Sequence, residues 1–271
     1  MKFAPFLAQI LLAISATAIP LADRDQQKGT LPEIPPVVNN TLVTRQNGGE
    51  VLGWSGAQYK GVTPGSKWTG IGARFKVPEV SFPAEYPDYK AGVDISIGID
   101  GRSVSNVMLL AGIHCQSTWR GERQYRAFWE WWYTSYSPDV YEFGVSPGDE
   151  VQLSIKAHSP TSATILYENL STGQKVSVDA VPDDASDPSF ALQGVDAHWL
   201  VQNFEEFPGP IPPANFGQVK LTDMWAEAEN GVRYNSATAE LIDELQFYNR
   251  HVAVTKRISD TEIEITYTGP K

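Results

Sequence analysis

The chain has 271 residues and a formal net charge of -11, from 21 Lys and Arg against 32 Asp and Glu. Nucleic-acid binding depends on clustered basic residues, and no such cluster is present, so a nucleic-acid partner is not expected. The single cysteine, Cys115, excludes an intramolecular disulfide, so the hydrophobic core alone must hold the fold. We expect Cys115 to be a small buried hydrophobic residue, not a nucleophile.

The N-terminus has the features of a secretory signal. Lys2 precedes an apolar run over residues 3–14, and Ala16-Thr17-Ala18 follows as a cleavage signature. The run is shorter than the roughly 20 residues that cross a bilayer. We therefore expect a signal peptide over residues 1–18 and a secreted, extracellular protein that is not attached to a membrane.

Residues 19–50 are rich in Pro, Asn, Gln and charged side chains and show no helix or strand periodicity. This composition is typical of a propeptide or a flexible arm. Asn39-Asn40-Thr41 matches the acceptor pattern for N-glycosylation, and so does Asn169-Leu170-Ser171 further along the chain. Secretion would make Asn39 and Asn169 candidate glycosylation sites.

Residues 51–271 are expected to form one all-β domain and to be monomeric. Short runs of β-branched and aromatic residues alternate with Gly, Pro, Asp and Asn, as in antiparallel sheets packed as a sandwich. The clearest predicted strands cover residues 71–77, 93–99, 151–157, 163–167 and 258–267. One short helix is predicted over residues 237–245.

A dense aromatic strand occupies residues 128–133. Alternation places Phe128, Glu130 and Trp132 on one face of the strand and Trp129 on the other. Large rings on both faces indicate either a second covering layer or a surface on which rings stack against a ligand.

Six motifs, in order along residues 54–250, resemble the fungal glutamic peptidase (eqolisin) family. They lie at residues 54–57, 75–78, 97–101, 125–131, 168–174 and 197–206. The resemblance implies a concanavalin A-like, two-sheet antiparallel β-sandwich with a peptide-binding cleft on its concave face. It also implies an acid endopeptidase in which a glutamate acts as general base on water and a glutamine amide stabilises the oxyanion.

The two catalytic positions of the family are substituted. Leu110 stands where the family has its glutamine, and Gln202 stands where it has its glutamate. Ser96 replaces a family tryptophan, and Arg126 replaces an acidic residue. We therefore expect an inactive endopeptidase that binds a peptide, a glycan or a small molecule. The expected cleft residues are Ser96, Asp100, Arg126, Trp129, Glu130 and Trp132.

Three alternatives stay open at this point. A displaced pair could retain peptidase activity, with Glu130 as base and Gln116 or Gln202 as the amide. A lectin-like or glycoside-active protein could use Asp100 with Glu130. A divergent biosynthetic enzyme could take an apolar substrate beside Leu110.

No metal or cofactor is expected. The four histidines lack ligand spacing, and no glycine-rich phosphate loop is present. They are His114, His158, His198 and His251.

Overall fold

The computed structural model describes residues 53–61, 66–86, 89–104, 106–132, 138–203, 205–206, 209–247 and 250–271. The predicted signal peptide, the predicted arm and Asn39 lie outside these residues. Within them no helix has the length and hydropathy to cross a membrane.

The described residues form strands joined by turns, with two short 3-10 helices, Pro188–Phe190 and Ser236–Thr238. In chain order the strands are β1 (Trp54–Lys60), β2 (Trp68–Lys76), β3 (Lys90–Asp100), β4 (Met108–Thr118), β5 (Arg123–Trp131), β6 (Glu150–Ser159), β7 (Ser162–Asn169), β8 (Gln174–Ala180), β9 (Asp196–Asn203), β10 (Glu205–Glu206), β11 (Gly209–Pro210), β12 (Gln218–Ala228), β13 (Arg233–Asn235), β14 (Glu240–Asp243), β15 (Gln246–Phe247), β16 (Arg250–His251), β17 (Ala253–Ser259) and β18 (Glu262–Tyr267).

Two antiparallel sheets pack face to face. The six-stranded sheet has the order β14-β1-β9-β3-β4-β5, and the larger sheet has the order β17-β18-β12-β2-β6-β7-β8 with β13 beside β12. Alternate side chains of the two sheets enter one buried apolar cluster, which includes Ile97 of β3 and Phe75 of β2. Burying a side chain of this size contributes about 1.5–3 kcal/mol. The predicted two-sheet antiparallel sandwich is confirmed.

Close packing of two strands requires a glycine at position 56, in the first motif. A Cβ atom at this position would overlap the carbonyl oxygen of Trp199 on the neighbouring strand β9. Only glycine allows β1 and β9 to approach this closely.

Two carboxylates link β3 to β9, because each accepts backbone N–H groups from the segment next to the other strand. Asp100 ends β3 with φ 62° and accepts the N–H groups of Gln193, Gly194 and Val195 at 2.6, 2.9 and 2.7 Å. Asp196 begins β9 and accepts the N–H of Arg102 at 2.9 Å. We call this arrangement the carboxylate clasp of Asp100 and Asp196, and it holds the two central strands in register.

The predicted helix over residues 237–245 is wrong. Only Ser236–Thr238 forms a 3-10 turn, and Glu240–Asp243 is strand β14. Pairing with β1, in which Ser55 is opposite Asp243, overrides the local helix preference. The strand predicted over residues 258–267 is a hairpin, because β17 ends at Ser259 and β18 begins at Glu262.

The glycosylation predicted at Asn169 conflicts with the fold. Asn169 is 1% exposed, and its amide nitrogen donates to Gly144 O at 3.1 Å and to Asp149 Oδ2 at 2.8 Å. Its amide oxygen accepts the N–H groups of Ser171 and Thr172. A glycan on this nitrogen would break the bonds that shape the turn after β7.

Candidate functional site on the outer face

The candidate site lies on the face of the six-stranded sheet that points away from the core, which we call the outer face. Ile95, Ile97 and Ile99 of β3 enter the main core, so the intervening Ser96 and Gly98 belong to the outer face. The register of β9, β3, β4 and β5 then defines which side chains meet there.

Leu110 sits in an apolar cluster on this face. It is 1% exposed and packs with Met108 and Phe128, and the half-buried Trp54 and Trp132 lie against the cluster. The side chain of Leu110 has no hydrogen-bond donor, and its buried neighbours Met108 and Phe128 have none either.

Gly98 brings Leu110 and His198 together from opposite sides. It is opposite Leu110 on β4 and opposite His198 on β9. A Cβ atom on Gly98 would lie 2.7 Å from Leu110 Cδ2 and closer still to the His198 ring. The two side chains therefore meet over the bare backbone of β3.

His198 is a neutral histidine with one nitrogen engaged. It is fully buried, and its Nε2 lies 2.7 Å from the carbonyl oxygen of Asp100, which fixes the proton on Nε2. Burial lowers its pKa to about 4, while the bond to Asp100 opposes the shift. Nδ1 is then an acceptor, and among the described residues it has no partner.

Leu110, Ser96 and Gln202, which the resemblance to the eqolisins predicts to be substituted positions, form one diagonal across the sheet. Leu110 is opposite Gly98, Ser96 is two residues along β3, and Gln202 is opposite Asp94 two residues further. Ser96 thus occupies the midpoint between Leu110 and Gln202. The serine is 1% exposed.

A transverse row of polar side chains crosses the sheet at the Gln202 end of this diagonal. Gln202, Asp94, His114 and Arg126 are successive cross-strand neighbours on β9, β3, β4 and β5, and we call them the polar row. His114 Nδ1 lies 2.5 Å from Asp94 Oδ1, and both side chains are nearly buried. The histidine ring stacks on Phe128 at 3.8 Å between centroids.

Arg126 closes the row at the edge of the sheet. Its Nη1 lies 2.6 Å from Asp139 Oδ2, so this arginine already has its own counter-ion. The Arg126–Asp139 pair is therefore electrically balanced without a ligand.

Asp94 and His114 were missed by the sequence analysis. Alternation along β3 places Asp94 on the same face as Ser96, and that signal was available in the sequence. The pairing of Asp94 with His114 depends on the register between β3 and β4, which the pattern of either strand alone does not give.

The residues expected to line one cleft lie in different parts of the structure. Trp129 packs against the main core and is not on the outer face, because it alternates with Phe128 and Glu130. Asp100 belongs to the carboxylate clasp, where burial raises its pKa and four backbone N–H groups oppose the rise. Trp132 lies beside the Leu110 cluster.

Glu130 is opposite Leu110 on the edge strand β5. The register separates it from Gln202 by three strands and four residues, about 14 Å across and 13 Å along the sheet. Gln116 lies on β4 six residues from Leu110, the residue opposite Glu130, so it is about 20 Å along the sheet from Glu130. Glu130 is therefore one strand further from Gln202 than Leu110 is.

Among the described residues no three His, Cys, Asp or Glu side chains converge as metal ligands. The outer face carries the polar row, which is rich in hydrogen-bond acceptors, beside the apolar Leu110 cluster. It belongs to a two-sheet sandwich whose sequence motifs resemble those of a peptidase family. Fold and site together define a β-sandwich of the glutamic peptidase type.

Comparisons with known proteins give the same family. The model of the Peptidase A4 family matches residues 52–267, and the chain belongs to this family. Aspergillopepsin-2 of Aspergillus niger is 26% identical over 98% of this chain and 100% of its own length. Scytalidopepsin B of Scytalidium lignicola is 34% identical over 54% of this chain and 55% of its own length.

Solved structures show the same fold. Scytalido-glutamic peptidase with a transition state analogue inhibitor aligns with a TM-score of 0.67 and 27% identity, covering 80% of this chain and 98% of that chain. Aspergilloglutamic peptidase from Aspergillus niger aligns with a TM-score of 0.59 and 26% identity, covering 66% of this chain and 99% of that chain. The resemblance to the eqolisins is confirmed.

Proposed function

We propose that the protein is a secreted, peptide-binding member of the glutamic peptidase family that does not hydrolyse peptides by the family's reaction. The observation that carries the proposal is the diagonal with Leu110 at one end and Gln202 at the other. A leucine offers no hydrogen-bond donor to an oxyanion, and a carboxamide cannot take a proton from water.

The expected loss of rate is large. Removing one oxyanion donor typically costs about a hundredfold to a thousandfold, and removing a general base costs roughly a hundredfold to ten-thousandfold. The two factors need not multiply. Even the smaller factor would leave a peptidase of little value as a digestive enzyme.

Peptide binding is supported by two solved structures from the family. One solved eqolisin structure is a complex with the tripeptide Ala-Ile-His, at 26% identity and a TM-score of 0.64 over 80% of this chain. Another is scytalido-glutamic peptidase with a peptide-based transition state analogue. The outer face offers comparable chemistry for a peptide, since apolar side chains around Leu110 adjoin polar groups around Asp94.

The test is hydrolysis of denatured casein between about pH 2 and pH 6. Four proteins are compared: the unmodified protein, Leu110→Gln, Gln202→Glu and the double variant. We expect cleavage only by the double variant, with the single substitutions as its matched controls. A melting curve is needed for each, because a glutamine inside the Leu110 cluster costs about 1–3 kcal/mol if it finds no partner.

Cleavage by the unmodified protein would overturn the proposal. A Glu130→Gln variant would then decide whether the displaced pair is responsible, since that substitution removes the carboxylate and keeps the shape of the side chain.

A further inference from the structure

Buried acceptors without partners are concentrated on the outer face. Among the residues that the structure describes, eight buried side-chain nitrogen or oxygen atoms have no hydrogen-bond partner, and four of them belong to this face. They are Gln58 Oε1, Ser96 Oγ, His198 Nδ1 and Gln202 Oε1. Native proteins rarely leave such atoms unsatisfied, so a cluster of them calls for a hydrogen-bonding partner.

Three of these atoms surround one point of the sheet. Leu200 on β9 is directly opposite Ser96, and His198 and Gln202 lie two residues before and two residues after Leu200 on the same strand. The His198 nitrogen is an acceptor because its other nitrogen donates to Asp100. A group that satisfies His198 and Gln202 must therefore be a hydrogen-bond donor.

A negative charge adjoins the same point. Asp94 is directly opposite Gln202, which places their Cβ atoms about 4.5–5.5 Å apart. The carboxylate is nearly buried, and its described polar contact is the single bond from Oδ1 to His114. A carboxylate can accept about four hydrogen bonds, so further capacity remains on Asp94.

While His114 is neutral, the Asp94 carboxylate is available to attract a cation; a protonated His114 would itself be its counter-ion. Arg126, which faces His114 from β5, is neutralised by Asp139. Arg102, near Trp54, is paired with Glu244 at 3.0 Å. On the side of β1, Gln58 donates its amide nitrogen to Glu240.

We infer that Asp94, Ser96 and Gln202 form a subsite for the ammonium group of a lysine side chain in a bound peptide. An ammonium supplies three donors and no acceptor, which matches the acceptor set. Leu110 is opposite Gly98, two residues along β3 from Ser96, so the apolar side chains of the Leu110 cluster lie beside the Ser96 end of the subsite and can cover part of the four-carbon stem. This inference rests on the proposed peptide-binding function and names the ligand side chain.

The test uses blocked pentapeptides with the sequence Ala-Ala-Xaa-Ala-Ala, acetylated and amidated, where Xaa is lysine or norleucine. Norleucine has the same stem without the ammonium. A third peptide has norleucine and a free N-terminus, which separates a side-chain ammonium from a terminal one. Binding to the full protein is measured by calorimetry, and we expect the lysine peptide to bind at least tenfold more tightly than both others.

Substitutions locate the preference. Gln202→Leu and Asp94→Asn should each reduce the lysine preference about tenfold, and Gln202→Glu should increase it. The increase cannot result from misfolding. Gln116→Leu is the matched control on the same face, because Gln116 lies opposite Gly92 and Gln124, one row beyond Asp94 and two strands from Gln202.

The outcomes separate the two proposals. If no peptide binds, peptide binding itself is overturned, and the subsite with it. If the peptides bind equally, or if the preference is unchanged by Gln202→Leu, Asp94→Asn and Gln202→Glu, the subsite is overturned while peptide binding stands. In that case the buried acceptors are satisfied by water.

Discussion

At the scale of single residues, His198 links stability to pH. An unfolded histidine has a pKa near 6.5, whereas burial lowers the pKa of His198 to about 4. Between these values the unfolded chain binds the proton more readily, so stability falls as the pH drops from about 6.5 to about 4. This single group accounts for about 3 kcal/mol of that fall.

The prediction is tested by urea unfolding at several pH values in that window. A His198→Gln variant keeps a donor for the Asp100 carbonyl and does not titrate, so its stability should depend less steeply on pH. His158→Gln, at an exposed histidine bonded to Thr164, is the control and should follow the unmodified protein. Equal pH dependence in all three proteins would contradict the assignment.

Gly98 is predicted to tolerate no side chain. In Gly98→Ala the new methyl group would overlap the His198 ring and lie 2.7 Å from Leu110 Cδ2. Overpacking of this kind typically costs about 1–3 kcal/mol. Thermal or urea unfolding measures the loss, and Gly144→Ala is the control because a Cβ atom there would lie 3.4 Å from its nearest neighbour, Gln174 Oε1. A Gly98→Ala protein as stable as the control would show that the two side chains move apart readily.

Some residues of the candidate site can be predicted from the sequence and others cannot. Gln202 can be assigned to a family position because it lies inside the last motif, and Ser96 because it directly precedes the third motif. Leu110 is assigned only by counting from that third motif to Ala111-Gly112. The pairing of Asp94 with His114 requires the register between two strands, and a shift of one residue would turn each side chain to the core.

At the scale of strands, the carboxylate clasp of Asp100 and Asp196 holds the site strands together. Asp100→Asn keeps a residue that accepts positive φ but replaces one acceptor oxygen by a donor that faces backbone N–H groups. We expect a loss of about 2–4 kcal/mol, from weaker bonds and unsatisfied donors.

Urea unfolding of Asp100→Asn tests this expectation. Asp184→Asn is the control, since Asp184 caps only the exposed turn at Ser186. A loss no larger than that of the control would mean that strand pairing alone fixes the register of β3 and β9.

Strands are predictable from sequence where alternation is strong, as in β3 and β6, both of which extend beyond their predicted bounds. The error at residues 237–245 has a different origin. Four residues of β14 become a strand only because β1, far away in sequence, offers them a partner. Such long-range pairing leaves no trace in a local pattern.

At the scale of the whole molecule, Cys115 should report global unfolding. The thiol is 1% exposed in the core, and burial raises its pKa well above the ordinary value. A thiol reagent should therefore label it only when the sandwich opens. The measurement is the labelling rate against urea concentration, compared with unfolding followed by tryptophan fluorescence.

Rapid labelling in the absence of denaturant would show that β4 opens locally. A Cys115→Ser variant is the blank, and a reducing agent should leave the melting temperature of the unmodified protein unchanged because no intramolecular disulfide exists.

The distances in sequence that the outer face spans have a consequence for how the protein is made. Gln58 and Glu240, which bond across β1 and β14, are 182 residues apart, and Asp100 and Gly194 of the clasp are 94 apart. Pairings this remote slow folding, because the loops between them must close first. A nascent chain that ends before β9 carries Ser96 and Leu110 on a sheet whose strand β3 has no partner on that side. The outer face is therefore complete only when nearly the whole domain has been synthesised, and until then β3 is an open edge that other chains can join.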